Sequence, residues 1–348
     1  MTSPAFTRWT LNGQNGLESL TNQQSHLPKD LGATDVLVQI HAASLNYRDV
    51  AIAKGKFGLA ISPNVVPGSD GAGVVHSVGK SVTTFAPGDK VVTHLAPHVL
   101  PHVFPTGADV SAGLGQVAQG TIQEYGVFDE TALVAMPKNL SFEQAATLTC
   151  SGLTAWNALF GGGKKVGKGD TVLTQGTGGV SVAALQFACA AGATVIATTS
   201  NDRKAARLSK LGASHVLNYR TEPQWGAAAK ALTPNGFGVT NVVDVGGLST
   251  LPQSMNAVCV EGVVTLTGIL DNESVDPVNI MDCLWRICSV RGIYLGTRDQ
   301  FAAMVKFIEE HGIEPVLDDR VFGANEIREA YQYLEAQKHF SKVVIKFV

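Results

Sequence analysis

Charge is scarce in this chain. Only 16% of its 348 residues are Asp, Glu, Lys or Arg, and the formal net charge is −3. With no basic block, nucleic acid and anionic membranes are poor partners. Long apolar runs are lacking as well, and none reaches the ~20 residues a bilayer-spanning helix needs. Cysteines are few: Cys150, Cys189, Cys259, Cys283 and Cys288. An odd, scattered set excludes a disulfide framework and reads as reduced thiols. Met1 to Trp9 hold no apolar core of signal-peptide length, and Ile345-Lys346-Phe347-Val348 matches no receptor-read address. The expectation is a cytoplasmic protein. What the chain does have is 45% hydrophobic residues and enough length for two domains, at about 150 residues each.

The two domains differ in rhythm. Residues 1–145 read as mainly β, with strands at Val36–Ile40, Gly71–Gly79 and Val91–Thr93 and a turn at Pro87-Gly88-Asp89-Lys90. Residues 94–120, rich in Pro, Gly and His, read as a long loop forming a functional rim. Residues 146–290 alternate strands (171–175, 194–199, 215–218, 241–245, 262–268) with helices such as 202–211 and 223–232. That alternation predicts a parallel sheet covered on both faces. Beyond 290 come a strand at 292–296, an amphipathic helix at 301–310, a helix at 324–336 and a closing strand at 342–348.

The densest signal is Thr174-Gln175-Gly176-Thr177-Gly178-Gly179-Val180-Ser181. It joins a β-branched strand to an apolar helix. Strand, glycine turn and helix in that order suit a dinucleotide pyrophosphate. Gly176 permits the tight turn, Gly178 lets the backbone approach the phosphates, and the N–H groups at the helix start face the anion. Thr177, Gly179 and Val180 complete the predicted cofactor contacts. Ser181 departs from the third glycine.

With these elements placed, the chain resembles the medium-chain dehydrogenase/reductase superfamily along nearly its whole length. The matching pieces run in order: Ala43-Ser44-Leu45-Asn46-Tyr47-Arg48-Asp49, Pro67-Gly68-Ser69-Asp70-Gly71-Ala72-Gly73-Val74-Val75, Pro87-Gly88-Asp89-Lys90-Val91, Cys150-Ser151-Gly152-Leu153-Thr154-Ala155-Trp156 and Leu211-Gly212-Ala213-Ser214-His215-Val216. The resemblance implies an α/β protein. A GroES-like, mainly β catalytic domain (1–145, completed by 291–348) would carry an inserted doubly wound Rossmann domain (146–290).

Departures from the family's metal pattern narrow the branch. Where zinc members carry Cys, His and Cys, this chain has Asn46, Ser69 and Cys150. Asn, Ser and one thiol are a poor zinc donor set. The structural-zinc segment needs four close cysteines, and no cysteine precedes Cys150. The expectation is no metal at either position, with Cys150 a packing residue. The zinc-free chain looks like the quinone oxidoreductase and enoyl reductase branches, which pass a hydride from NADPH to an enone, an enoyl thioester or a quinone. Such chemistry needs an oriented donor at the carbonyl oxygen and a proton source.

Asn46 and Tyr47 are the candidates for that work. Arg48 and Asp49 read as a structural ion pair, and Lys54 and Lys56 as solvated. Several relatives place a donor Tyr where Phe57 stands. His94, His98 and His102 lie in the long loop as minor acid candidates. For the cofactor, the second strand ends in Ser200 rather than an acid, with Arg203 and Lys204 following. That set accommodates a 2′-phosphate and predicts NADPH. Asp202 reads as the cap of the next helix. By resemblance, Tyr219 closes over the adenosine phosphate and Lys342 contacts the cofactor, although Ser341 replaces the usual preceding Gly.

The overall reading is a zinc-independent, NADPH-dependent reductase of activated double bonds or quinones. Its substrate is a small molecule and its expected assembly a homodimer through the 292–296 edge strand. A partner synthase in secondary metabolism is compatible with that reading. Two alternatives stay open: an NADP-dependent alcohol or aldehyde oxidoreductase, and a non-catalytic nucleotide-binding relative. The pocket would be lined chiefly by residues 46–60, 94–120 and 270–300; Trp285 and Tyr294 either line it or, the favoured reading, fill core or dimer edge. Substrate identity is not legible.

Overall fold

A computed structural model describes residues 5–58, 60–268 and 278–348, the side chain of Phe57 excepted. Part of the 270–300 segment expected at the pocket therefore lies outside the described residues. The chain forms two compact units, residues 1–153 with 297–348 and residues 154–296.

The first unit begins with an antiparallel hairpin of β1 (Ala5–Leu11) and β2 (Leu20–His26). Next come β3 (Asp35–Leu45), β4 (Asp70–Val78), β5 (Lys90–Thr93), β6 (Tyr125–Asp129) and β7 (Leu133–Ala135). The second unit holds β8 (Thr171–Gln175), β9 (Thr194–Thr199), β10 (His215–Asn218), β11 (Val239–Asp244), β12 (Val258–Leu266) and β13 (Ser289–Gly292). The chain then returns to the first unit with β14 (Leu317–Gly323) and β15 (Lys342–Lys346).

In the first unit seven strands share one sheet, in the order β14-β15-β3-β4-β5-β7 with β6 against β3. Register is what matters for function. Ser44 on β3 sits opposite Asp70 on β4, and Leu45 sits opposite Val343 on β15. The end of β3 thus meets the starts of β4 and β15. Asn46, Asp70 and Lys342, far apart in sequence, are delivered to one end of the sheet. Two apolar clusters hold that sheet in place. One contains Trp9, Leu45, Ile52, Phe322 and Tyr331, and the other Val36, Val38, Ile40, Val91 and Phe128. Each such side chain contributes roughly 1.5–3 kcal/mol when fully buried.

The second unit is a six-stranded parallel sheet in the order β10-β9-β8-β11-β12-β13. Every residue of β8 is buried, as a central strand covered on both faces requires. The strand order reverses beside β8, so the glycine turn that follows it opens at the topological switch point.

Some details differ from the sequence expectation. The strand expected at 292–296 ends at Gly292, because β12 runs out at Leu266, the residue paired with Gly292. The edge position itself holds, since β13 closes one side of the sheet. The 94–120 segment contains a helix, Gly107–Ala112, started by a Thr106–Asp109 capping box. The units join at 153/154 and 296/297, later than 145 and 290. Thr149 bonds to the Thr93 carbonyl and the Cys150 N–H to Asp70, which ties the 148–152 turn into the first unit.

Ser341, just before β15, is buried and left-handed at φ 63°. A Cβ is unfavourable there, which explains the glycine usual at this place. Ser341→Gly should therefore raise unfolding stability by about 1 kcal/mol in denaturant melts.

Candidate active site

In the first unit, a polar cluster sits at the end of the sheet just described. Asp70 is fully buried. Its Oδ2 accepts from Lys342 Nζ at 3.2 Å, from Ser44 Oγ at 3.3 Å and from the Cys150 N–H at 3.3 Å. Its Oδ1 accepts from Ser69 Oγ at 2.7 Å. Lys342, only 4% exposed, also donates to Asn46 Oδ1. Ser151 Oγ donates to that same oxygen at 3.2 Å. Asn46 is itself buried, and its Nδ2 has no hydrogen-bond partner among the described residues. A buried donor left unmatched costs about 1–3 kcal/mol unless something else satisfies it.

Asn46 is held by the helix it precedes, Tyr47–Ala53. Its N–H donates to Asp49 Oδ2 at 2.7 Å, and the Asp49 N–H donates to the Asn46 carbonyl at 3.0 Å. Arg48 lies 4.0 Å from Asp49, but its stronger bonds go to the Leu114 carbonyl (3.0 Å) and Gln116 Oε1 (3.3 Å). The expected Arg48–Asp49 pair is therefore a loose one. Burial raises the Asp49 carboxyl to about 6; Arg48 and the Asn46 N–H oppose this, and Asp70 adds to it.

Tyr47 is not part of the cluster's bonding. Its hydroxyl accepts from Lys56 Nζ at 3.2 Å on the exposed side, and the ammonium also lies 5.4 Å from the ring centroid. Lys54 pairs with Glu335. The two lysines thus have partners rather than standing only in solvent. His94, expected among solvated loop histidines, is buried. Its Nδ1 lies 3.1 Å from the Ala96 carbonyl and its ring lies near Phe301. Cys150 is part-exposed, and burial, with Asp70 beside it, pushes its thiol up to about 12. Surroundings of this kind disfavour the thiolate and do not activate the thiol as a nucleophile.

In the second unit the glycine turn is built as its sequence implies. Gly176 is left-handed at φ 75°, and its N–H bonds to the Thr198 carbonyl at 3.0 Å. Gly178 precedes the helix Gly179–Ala190 without a side-chain cap. A Cβ built on Gly176 or Gly178 would meet nothing within 4 Å. Uncapped N–H groups beside open space, at the start of a twelve-residue helix, fit a phosphate. Thr177, Gly179 and Val180 lie in the same turn and first helical residues. Ser181 fills the third glycine position without crowding, since its Oγ donates to the Gln175 carbonyl at 2.5 Å.

Ser200 follows β9, and the helix Asp202–Lys210 begins beside it. Asn201, not Asp202, caps that helix, accepting from Arg203 N at 2.8 Å and Lys204 N at 3.3 Å. Asp202 is instead held by Asn218 Nδ2 at 2.8 Å. The Tyr219 N–H bonds to the Thr199 carbonyl at 3.0 Å, and its side chain is exposed. The structure thus gathers Ser200, Arg203, Lys204 and Tyr219 at one end of β9 and β10. Lys342 belongs to the other unit, where its ammonium meets Asn46 and Asp70.

The sequence reading missed Asp70 as the hub of the first unit. A carboxylate in an otherwise apolar strand start was the available signal. It also missed buried Asp244, which accepts from the Gly246 and Gly247 N–H groups, Thr250, Ser254 and Gln175. An acid ending an apolar strand before Gly246-Gly247 was the signal there. These bonds tie the loop after β11 to the end of β8 beside the glycine turn.

Residues 32–138 match the alcohol dehydrogenase GroES-like domain, and residues 179–310 match the zinc-binding dehydrogenase domain. A zinc-type alcohol dehydrogenase-like protein of Schizosaccharomyces pombe is 43% identical over 95% of this chain and 96% of its own. The chain belongs to the medium-chain dehydrogenase/reductase superfamily. A Sinorhizobium meliloti crystal structure, described as a candidate alcohol dehydrogenase, superposes with TM-score 0.90 at 37% identity over the whole of both chains. An NAD-dependent alcohol dehydrogenase structure gives TM-score 0.84 at 32% identity over 98% and 100%. The acryloyl-coenzyme A reductase of Sulfurisphaera tokodaii is 27% identical over 90% of this chain and 93% of its own. The protein is accordingly an oxidoreductase with a GroES-like domain and a Rossmann-like domain, in a family that uses a nicotinamide cofactor. Among the described residues no helix is long and apolar enough to cross a membrane.

Asp49 makes stability depend on pH. Its folded value, about 6, lies above the ordinary 3.8, so the folded state binds the extra proton. The stability from this group is full below about pH 4 and is lost as pH rises to about 6, by up to about 3 kcal/mol. Asp49→Asn should flatten that slope in denaturant melts between pH 4 and 7.

Proposed function

We propose that this chain is a zinc-independent, NADPH-dependent reductase that delivers hydride to an activated C=C bond, as in an enone or enoyl thioester, or to a quinone. The observation that carries the reading is the end-of-sheet cluster. Zinc needs about three strong N, S or O ligands. The residues at the family's zinc positions do not fit one. Asn46 Oδ1 faces an ammonium and Ser69 Oγ is committed to Asp70, which leaves Cys150 as the one strong donor of the three. No group of three or more His, Cys, Asp or Glu placed to hold a metal occurs among the described residues.

Bound NADPH supplies the hydride. Asn46 Nδ2, a buried donor with no hydrogen-bond partner among the described residues, hydrogen-bonds the substrate carbonyl and stabilises charge growing on its oxygen. Tyr47, its hydroxyl bonded to Lys56, supplies the proton that completes reduction. The turn 176–180 holds the pyrophosphate. Ser200, Arg203, Lys204 and Tyr219 receive the 2′-phosphate, while Asp202 is engaged by Asn218. Cytoplasmic residence and small-molecule substrates go with this reading.

We assign the protein as a homodimer joined through the free edge of β13. Ile280, Leu284, Trp285 and Ile287 beside that edge are each more than half exposed, as an unpaired interface patch would be. Trp285 and Tyr294 are surface residues rather than core.

The alcohol dehydrogenase names of the relatives favour a second reading, reduction of aldehydes. Following NADPH oxidation against enones, enoyl thioesters, quinones and aldehydes separates the two. Turnover confined to aldehydes would overturn conjugate reduction. Asn46→Asp keeps the oxygen facing Lys342 but removes the free N–H, so kcat should fall about 100-fold with little change in the melting temperature. Ser200→Asp should shift preference toward NADH, and an unchanged NADPH/NADH ratio of kcat/KM would remove the 2′-phosphate argument.

A further inference from the structure

An amide side chain has two ends of nearly the same size, and only its surroundings decide which way it points. At Asn46 that decision has chemical weight, because one end is an acceptor and the other the donor required at a carbonyl. Two groups press on the inward end. Lys342 Nζ, an ammonium with three donors and no acceptor, bonds to it, and Ser151 Oγ donates to it from 3.2 Å. A flipped amide would set Nδ2 against Nζ, donor to donor, inside a buried pocket. Lys342 cannot swing away to relieve this. It is 4% exposed and anchored on Asp70, whose other bonds come from Ser44, Ser69 and the Cys150 backbone. It also starts a strand whose next residue pairs with Leu45, the neighbour of Asn46. Left-handed Ser341, immediately before it, sets the direction from which the strand enters.

We infer that Lys342 is a positioning residue for Asn46: its buried ammonium holds Oδ1 inward and so makes Nδ2 the free donor of the site. This rests on the reading of Asn46 as the group that polarises the substrate carbonyl. It gives Lys342 a role at the reacting end of the substrate rather than as a cofactor contact.

The test is a mutant cycle on the full-length enzyme, with an enone or quinone acceptor. Lys342→Met is made in an Asp70→Asn background, so that no buried carboxylate is left without a counter-charge. Asp70→Asn alone is the control, Asn46→Ala is added to each, and NADPH binding is followed by its fluorescence. Relative to Asp70→Asn, removing Lys342 should lower kcat about 30–100-fold while the NADPH dissociation constant stays within about twofold. Adding Asn46→Ala should then cost little more, because the donor's orientation is already lost. Multiplied losses at the two positions would overturn the positioning role while leaving the Asn46 reading intact. A tenfold weaker NADPH affinity with kcat preserved would make Lys342 a cofactor contact and overturn it too. An undiminished kcat in Asn46→Ala would sink the reading of Asn46 and this inference with it.

Discussion

The buried contact between Lys342 and Asp70 is the constraint on which the catalytic unit depends. An ammonium and a carboxylate removed from water are costly unless each also satisfies other partners. Here both do: the lysine reaches Asn46, and the carboxylate collects Ser44, Ser69 and a backbone N–H. The pair binds together three strand ends that antiparallel register has already brought side by side. On the proposed reading, the buried ammonium of this pair orders the Asn46 amide.

The nucleotide-binding unit rests on a different device. A parallel sheet reverses its order beside β8, and the turn that leaves this strand carries backbone N–H groups and no obstructing side chains. Asp244 and Gln175 lock the neighbouring loop to the same strand end through five hydrogen bonds accepted by the buried aspartate. Rigidity at the base of the turn and openness at its rim are complementary. A pyrophosphate bound by backbone groups needs those groups held in place before it arrives.

Much of this was legible in the chain alone, for identifiable reasons. The parallel-sheet half was readable because β-branched runs such as 171–175 and 194–199 are buried on both faces and are separated by amphipathic helices. The glycine turn was readable because phosphate approach constrains backbone and side-chain size together. Asn46 was readable through the motif around it. What local patterns could not reveal was set by long-range register. Nothing near Lys342 in sequence says that β15 pairs with β3, and nothing near Asp70 says that four donors converge on it. His94 appeared as a loop residue because burial by Phe301, two hundred residues away, leaves no local trace. Strand β13 was placed slightly late because its end is dictated by where β12 stops, not by its own composition.

Metal content measured alongside turnover tests the central claim most directly. Purified protein, assayed for NADPH oxidation before and after exhaustive chelation and analysed for zinc by mass spectrometry, should contain far less than one zinc per chain and keep its activity. Stoichiometric zinc whose removal abolishes turnover would contradict the account, which rests on Asn46, Ser69 and Cys150 being a poor zinc donor set.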